Sequence, residues 1–170
     1  MNGSSKRRVF VAFFTHVPSS EGGIDWAIWT ERKGSTGKGS CYRVVDISNP
    51  NNPYVPRNWQ LYHYPGVNYT QGFPIIGRIM VGKVPVELNS HEFLDVLSTV
   101  PLPRYNHQPT ENDTTWVKNA LRALRRYGCV ENFDLREFML YALALGQFWN
   151  ENPPEPNRYP MKNYTQRSFR

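Results

Sequence analysis

The chain has 170 residues, enough for one compact domain with a real core. Only 39% of residues are apolar but 14% are aromatic, so core and pocket walls are expected to be built from rings. The net charge of +6 raises nucleic acid and anionic membranes as partners. No RNA- or DNA-reading motif is present, however, and no segment is long enough to span a membrane.

The first basic cluster, Lys6-Arg7-Arg8, precedes an apolar run that imitates a secretion signal. The run is too short and lacks a clean small-residue cleavage site, so a strand and a cytoplasmic location are expected. Residues 8–17, rich in Val and Phe and stopped by Pro18, predict that strand. "SSEGG" (19–23) is a turn, and "IDWAIWTER" (24–32) predicts a second strand. "KGSTGKGS" (33–40) reads as a flexible hairpin connection without the GxxxxGK[ST] order of a phosphate loop. "CYRVVDI" (41–47) predicts a third strand pairing back on the second. A proline-fixed loop (48–58) leads to a fourth strand, "WQLYHYPGV" (59–67). "IIGRIMVGKVP" (75–85) predicts a fifth, with Gly77 and Gly82 allowing a close approach or a bulge.

The pattern then turns helical. Residues 87–100 place Phe93, Leu94, Val96 and Leu97 at near-helical spacing behind a cap at Asn89 or Ser90. A proline-marked loop (101–112) follows. Asp113 opens the next helix, with Trp116, Val117, Ala120, Leu121 and Leu124 on one face and Gly128 at its end. A third helix (134–150), capped by Asp134, is apolar nearly all round and is expected to be well buried. Residues 151–170 read as a proline-rich basic tail on the surface or disordered. Strands first and helices second predict an α+β fold, an antiparallel sheet packed against about three helices, in a single domain over 1–150.

Cys41 and Cys129 are too few for a disulfide framework, and no CxxC or HxxxH spacing occurs. No metal or cofactor is therefore expected.

"IDWAIWTE", "IIGRIMVGKVP", "LSTVPLPRYN" and "NDTTWVKNALRAL" together resemble a group of small, mostly uncharacterised fungal proteins over most of residues 24–130. There the strand commonly reads His-Trp in place of Asp25-Trp26. The helix start commonly reads Asn-Cys in place of Asn112-Asp113, with a Trp where Trp116 stands. That Cys and His arrangement resembles the circularly permuted papain-like superfamily of cell-wall endopeptidases and lecithin:retinol acyltransferase relatives. The resemblance implies a permuted papain-like shell. A Cys at a helix N-terminus is poised as thiolate and a strand His takes its proton. Here both positions are Asp, which removes thiol-dependent peptidase or acyltransferase chemistry.

Each aspartate has a plain structural reading. Asp113 is a good N-cap residue, and Asp25 can face outward or close a turn. The functional reading brings the two carboxylates together in an aromatic cleft, where proximity forces one of them to hold a proton. The helix N-terminus would keep Asp113 ionised and leave Asp25 as proton carrier. Such a pair suits isomerisation, dehydration or ring closure of a small molecule. Around it, Trp26, His63, Arg104, Tyr105, His107 and Trp116 are candidate ligand-binding residues. On a strand His63 points away from Tyr62 and Tyr64.

Three function classes follow. The first is a small-molecule isomerase, cyclase or lyase, which the fungal resemblance would place in secondary metabolism. The second is an inactive papain-like shell that binds a peptide or protein. The third is a basic nucleic-acid binder, and the scatter of the cations sets it last. Nothing in the sequence fixes an oligomeric state.

Overall fold

The computed structural model describes residues 6–15, 23–47, 51–52, 54, 58–73 and 75–167. Its centre is β1, Arg7–Thr15, in which every residue from Arg8 to Phe14 is buried. A strand buried on both faces lies inside a sheet covered on both sides. Antiparallel neighbours flank it, β2 (Ile24–Arg32) and β5 (Ile75–Lys83). Beyond β2 come β3 (Lys38–Asp46) and β4 (Trp59–Asn68), both antiparallel. The helices are α1 (Ser90–Ser98), α2 (Asp113–Arg126) and α3 (Leu135–Glu151), and β6 (Met161–Asn163) closes the chain order. Among the described residues the sheet order is β4-β3-β2-β1-β5-β6. The architecture is α+β, as strands followed by helices predict.

Four expectations change. β6 pairs parallel with β5, so the sheet is mixed rather than antiparallel. Its residues come from the proline-rich stretch expected to be a loose tail. The hairpin between β2 and β3 is tighter than its glycines suggest. β3 already starts at Lys38, and Ser35 N–H donates to the Arg32 carbonyl at 3.0 Å. The third helix is not buried all round. Phe138, Ala142, Gly146 and Trp149 face the core, while Leu140 and Phe148 are 63% and 58% exposed. Residues 16–17 of the first predicted strand, the turn at 19–22 and most of the 48–58 loop lie outside the described residues.

Period-two alternation splits the strands between two cores. Val9, Val11, Phe13, Trp26, Ile28 and Tyr42 meet the helices through Phe93, Trp116, Val117, Leu121, Phe138 and Trp149. Phe10, Ala12, Phe14, Ala27, Trp29 and Cys41 form the second core with Tyr69, Phe73 and Tyr159. The ring of Phe73 lies 5.3 Å from Phe14 on β1 and 5.7 Å from Tyr64 on β4. One ring thus reaches strands three places apart, so the sheet curls around this second core. Two glycines of β5 allow close approach, as expected. A Cβ at Gly77 would overlap the Trp149 ring, and one at Gly82 would overlap the Cys129 carbonyl.

Charge is also buried in the second core. Arg78 holds Glu31 through two hydrogen bonds of 3.1 Å, and Trp29 Nε1–H donates to the same carboxylate at 2.8 Å. The Arg78 guanidinium stacks over Phe10 and Tyr69, at 5.2 and 4.9 Å from the ring centres. Pairing and full hydrogen bonding are what make such burial tolerable.

Candidate functional site

The N-terminus of α2 is capped by Asn112. Its side chain accepts from Thr115 N–H at 3.2 Å, and Thr115 Oγ1 accepts from Asn112 N–H at 3.1 Å, a reciprocal capping box. This corrects the expectation that Asp113 is the cap. Asp113 is the first helical residue, and its carboxylate is released for other work. Oδ2 accepts from the backbone N–H of Trp26 at 2.8 Å, and Oδ1 from that of Thr114 at 3.0 Å.

The strand arrangement explains why that amide is open. Pairing between β2 and β3 runs only as far as Ile28 opposite Tyr42. β3 meanwhile stays with β4 as far as Asp46 opposite Trp59. Trp26 lies beyond the end of the β2–β3 ladder, where its amide would lack a partner. Asp113 fills the gap, tying the start of α2 to β2.

Asp25 is half-buried next to this gap. Its Oδ2 pairs with Arg43 Nη2 at 3.1 Å, each side chain being 22% exposed. Asp25 stands opposite Phe14 in the β1–β2 register, and the Arg43 guanidinium lies 5.5 Å from the Phe14 ring centre. Alternation therefore puts Asp25 and Arg43 on the second-core face, while α2 lies on the other. The two carboxylates approach the opening between β2 and β3 from opposite faces.

Burial pushes the Asp113 carboxyl above its usual value. The Trp26 amide opposes this, the charge of Asp25 adds to it, and the Thr114 amide and Arg43 pull back. The upward direction runs against the expectation that the helix N-terminus keeps Asp113 ionised. Desolvation at Asp113 outweighs the helix dipole, and Asp25 already has a cation. Asp113 is a carboxyl pushed toward its protonated form.

The other candidates do not converge on this point. Trp26 and Trp116 are core residues, 2% and 1% exposed, and Trp26 meets Phe13 edge-on at 4.9 Å. The buried Nε1 of Trp116 has no hydrogen-bond partner among the described residues. His63 stacks flat on Tyr42 at 4.5 Å, and Tyr62 and Tyr64 stack on each other, as alternation predicts. Burial lowers the His63 pKa, and its Nε2 is buried without a partner among the described residues.

Arg104 and His107 brace their own loop instead of facing a ligand. Arg104 clasps Glu111 with Nε–Oε1 at 2.9 Å and Nη2–Oε2 at 3.0 Å, and its backbone N–H adds a bond of 3.0 Å. This holds the Glu111 carboxyl down to about 2. His107 Nδ1 lies 3.0 Å from the Pro109 carbonyl. Tyr105 ties the loop to the end of β3, its hydroxyl donating to Asp46 Oδ1 at 2.6 Å.

Arg43 is the site residue that sequence reasoning missed. A signal existed in "CYRVVDI". Tyr42 and Val44 mark one face of β3, so Arg43 belongs to the other. Extending the β2–β3 register places it diagonally across from Asp25, within reach of a long side chain. Burial pushes the Cys41 thiol up to about 12 and that of Cys129 to about 11, so neither supplies a thiolate at neutral pH. Among the described residues no three His, Cys, Asp or Glu side chains gather to hold a metal ion, and no helix is long and apolar enough to cross a membrane.

A family model described as a family of unknown function (DUF6914) matches residues 6–138. No curated protein and no solved structure matches the chain.

Proposed function

The chain belongs to the DUF6914 family of unknown function, and we propose that it is a small-molecule enzyme working by acid–base catalysis in a papain-like shell. The observation that carries this reading is the pairing of unlike carboxyls at the β2–β3 opening. Asp113 is half-buried, pushed toward protonation and influenced by Asp25, which is itself ion-paired with Arg43. A carboxyl pushed up beside one held in an ion pair gives the two the roles of acid and base. Asp113 gives a proton to a substrate oxygen, and Asp25 takes one from carbon. The sum is an isomerisation, a dehydration or a ring closure without net redox change. Arg43 is a positioning residue that holds the Asp25 carboxylate in an ion pair. Further support comes from the sequence resemblance, in which a Cys commonly stands at the position of Asp113, here on the first turn of a helix packed against the strand of Asp25.

A second reading, an inactive shell that binds a peptide or protein, draws on a different observation. Both oxygens of Asp113 already accept backbone N–H groups, from Trp26 and Thr114. One set of experiments separates the two. Carboxyl resonances of ¹³C-labelled aspartates give the titration of Asp113 directly, and mass spectrometry of a metabolite mixture reports turnover. The enzyme reading expects an elevated Asp113 titration, and conversion abolished in both Asp25→Asn and Asp113→Asn. An ordinary titration, with conversion or ligand binding indifferent to both changes, leaves the inactive shell.

A further inference from the structure

Seven residues along β2 from Asp25, about 24 Å at the usual rise per residue, the sheet ends in an open cleft of about 670 Å³. Its cations are Arg7 from β1, Arg32 at the end of β2, Lys33 in the turn that follows, and Lys38 from the start of β3. The single acidic residue lining it is Glu31, whose carboxylate is held by Arg78 and Trp29. Among the described residues the side chains of Arg32, Lys33 and Lys38 make no ion pair or hydrogen bond.

Two features set this apart from ordinary solvated charge. Arg7 and Arg32 stand directly opposite each other in the β1–β2 register. Like charges in that position repel, and here no free carboxylate lies between them. Arg7 is also fixed in place, donating to Ser90 Oγ at 3.0 Å and to the Leu88 carbonyl at 3.1 Å. The positive field extends past the cleft. The Lys83 ammonium is pushed down by burial and by Arg8, Arg167, Lys33 and Lys6. Hydroxyls of Ser35, Thr36 and Ser40 line the same space, and no Phe, Tyr or Trp does.

We propose that this cleft binds a small, multiply phosphorylated, non-aromatic ligand. Four cations from three strands and the turn after β2 match several negative charges at short spacing, and the hydroxyls of Thr36 and Ser40 supply neutral donors to phosphate oxygens, that of Ser35 being held by the Lys38 carbonyl. The volume falls in the range of small-molecule sites. A nucleobase would find no ring to stack on. The hairpin sequence "KGSTGKGS", which lacks phosphate-loop order, serves here through its side chains. The site lies away from the Asp25–Asp113 pair and stands independently of the reading given to it.

The test is calorimetric titration of the full chain with sodium tripolyphosphate at near-physiological salt. The double variant Lys33→Gln/Lys38→Gln is expected to bind about tenfold more weakly or worse, the loss of at least one charge-assisted contact. Lys33→Arg/Lys38→Arg retains binding. Arg122→Gln/Arg126→Gln, which removes equal charge from α2, stays within about twofold of the parent if the site is local. Parallel titrations use a single-stranded RNA oligonucleotide and a DNA duplex. The proposal is overturned if tripolyphosphate gives no saturable binding, or if the cleft and α2 variants weaken it equally. It is also overturned if an oligonucleotide binds more tightly through the same two lysines.

Discussion

Asp113 shows how one residue's role depends on its neighbour. Asn112 does the capping, so the Asp113 carboxylate reaches across to β2 and satisfies the Trp26 amide. Removing that acceptor leaves a buried donor unpaired, a loss on the order of 1–3 kcal/mol. Asp113→Ala is therefore expected to lose about that much in urea unfolding at neutral pH. Asp113→Asn keeps an amide oxygen in the same place and removes the buried charge. The sign follows from the raised pKa. The contribution of Asp113 is fully present below the usual value of 3.8 and is lost as pH rises through the higher folded value. At pH 7 the parent thus carries the cost of a half-buried carboxylate, and Asp113→Asn, which keeps one acceptor oxygen but turns its NH2 toward the second backbone N–H, should lose less stability than Asp113→Ala. It should also lack the parent's gain on acidification. An Asn variant as damaged as the Ala variant would show that the charge, not the acceptor, holds α2 to β2.

Among the elements, β6 is the least expected, because nothing in "PNRYPMKNY" reads as a strand. Three residues form it, held by main-chain bonds such as Arg78 N–H to the Pro160 carbonyl at 3.1 Å and Tyr164 N–H to the Met80 carbonyl at 3.0 Å. The segment around it closes both cores. Tyr159 packs on Tyr69 at 4.6 Å, and Tyr164 packs edge-on against Phe133 and Phe138, each at 4.9 Å. A chain ending at Glu151 is expected to lose about 2–3 kcal/mol, the worth of two half-buried aromatic side chains. It should also bind an apolar dye through the uncovered second core. An unchanged unfolding midpoint would make the segment dispensable. By contrast α1, α2 and α3 could be read directly, since Asn89, the Asn112-Asp113 pair and Asp134 mark their starts within a residue.

Over the whole molecule, charge is divided by location. The cleft gathers cations at one end of the sheet, whereas the carboxyls that matter lie near the start of α2 and in the loop before it. Two of these act on stability in opposite directions as pH falls. Asp113 gains, and Glu111 loses. Glu111 contributes above its usual 4.5, and the contribution disappears as pH falls through about 2. In urea titrations between these values, Glu111→Gln should show a flatter acid loss than the parent. If the two run parallel, the Arg104 clasp is not coupled to folding. The sequence alone determined the α+β class, the strand faces, the helix starts and the absence of a reactive thiol at the α2 start. Each of these depends on residue type and local period, which the chain carries within a few positions. Only the tertiary structure decided that Asn112 displaces Asp113 as the cap, that Arg43 answers Asp25, that the Asp113 carboxylate meets the Trp26 amide, and that a proline-rich end becomes a strand. Those outcomes depend on where the β2–β3 ladder stops and on which surfaces are left to cover. Such quantities arise from contacts between residues tens of positions apart, and no local pattern encodes them.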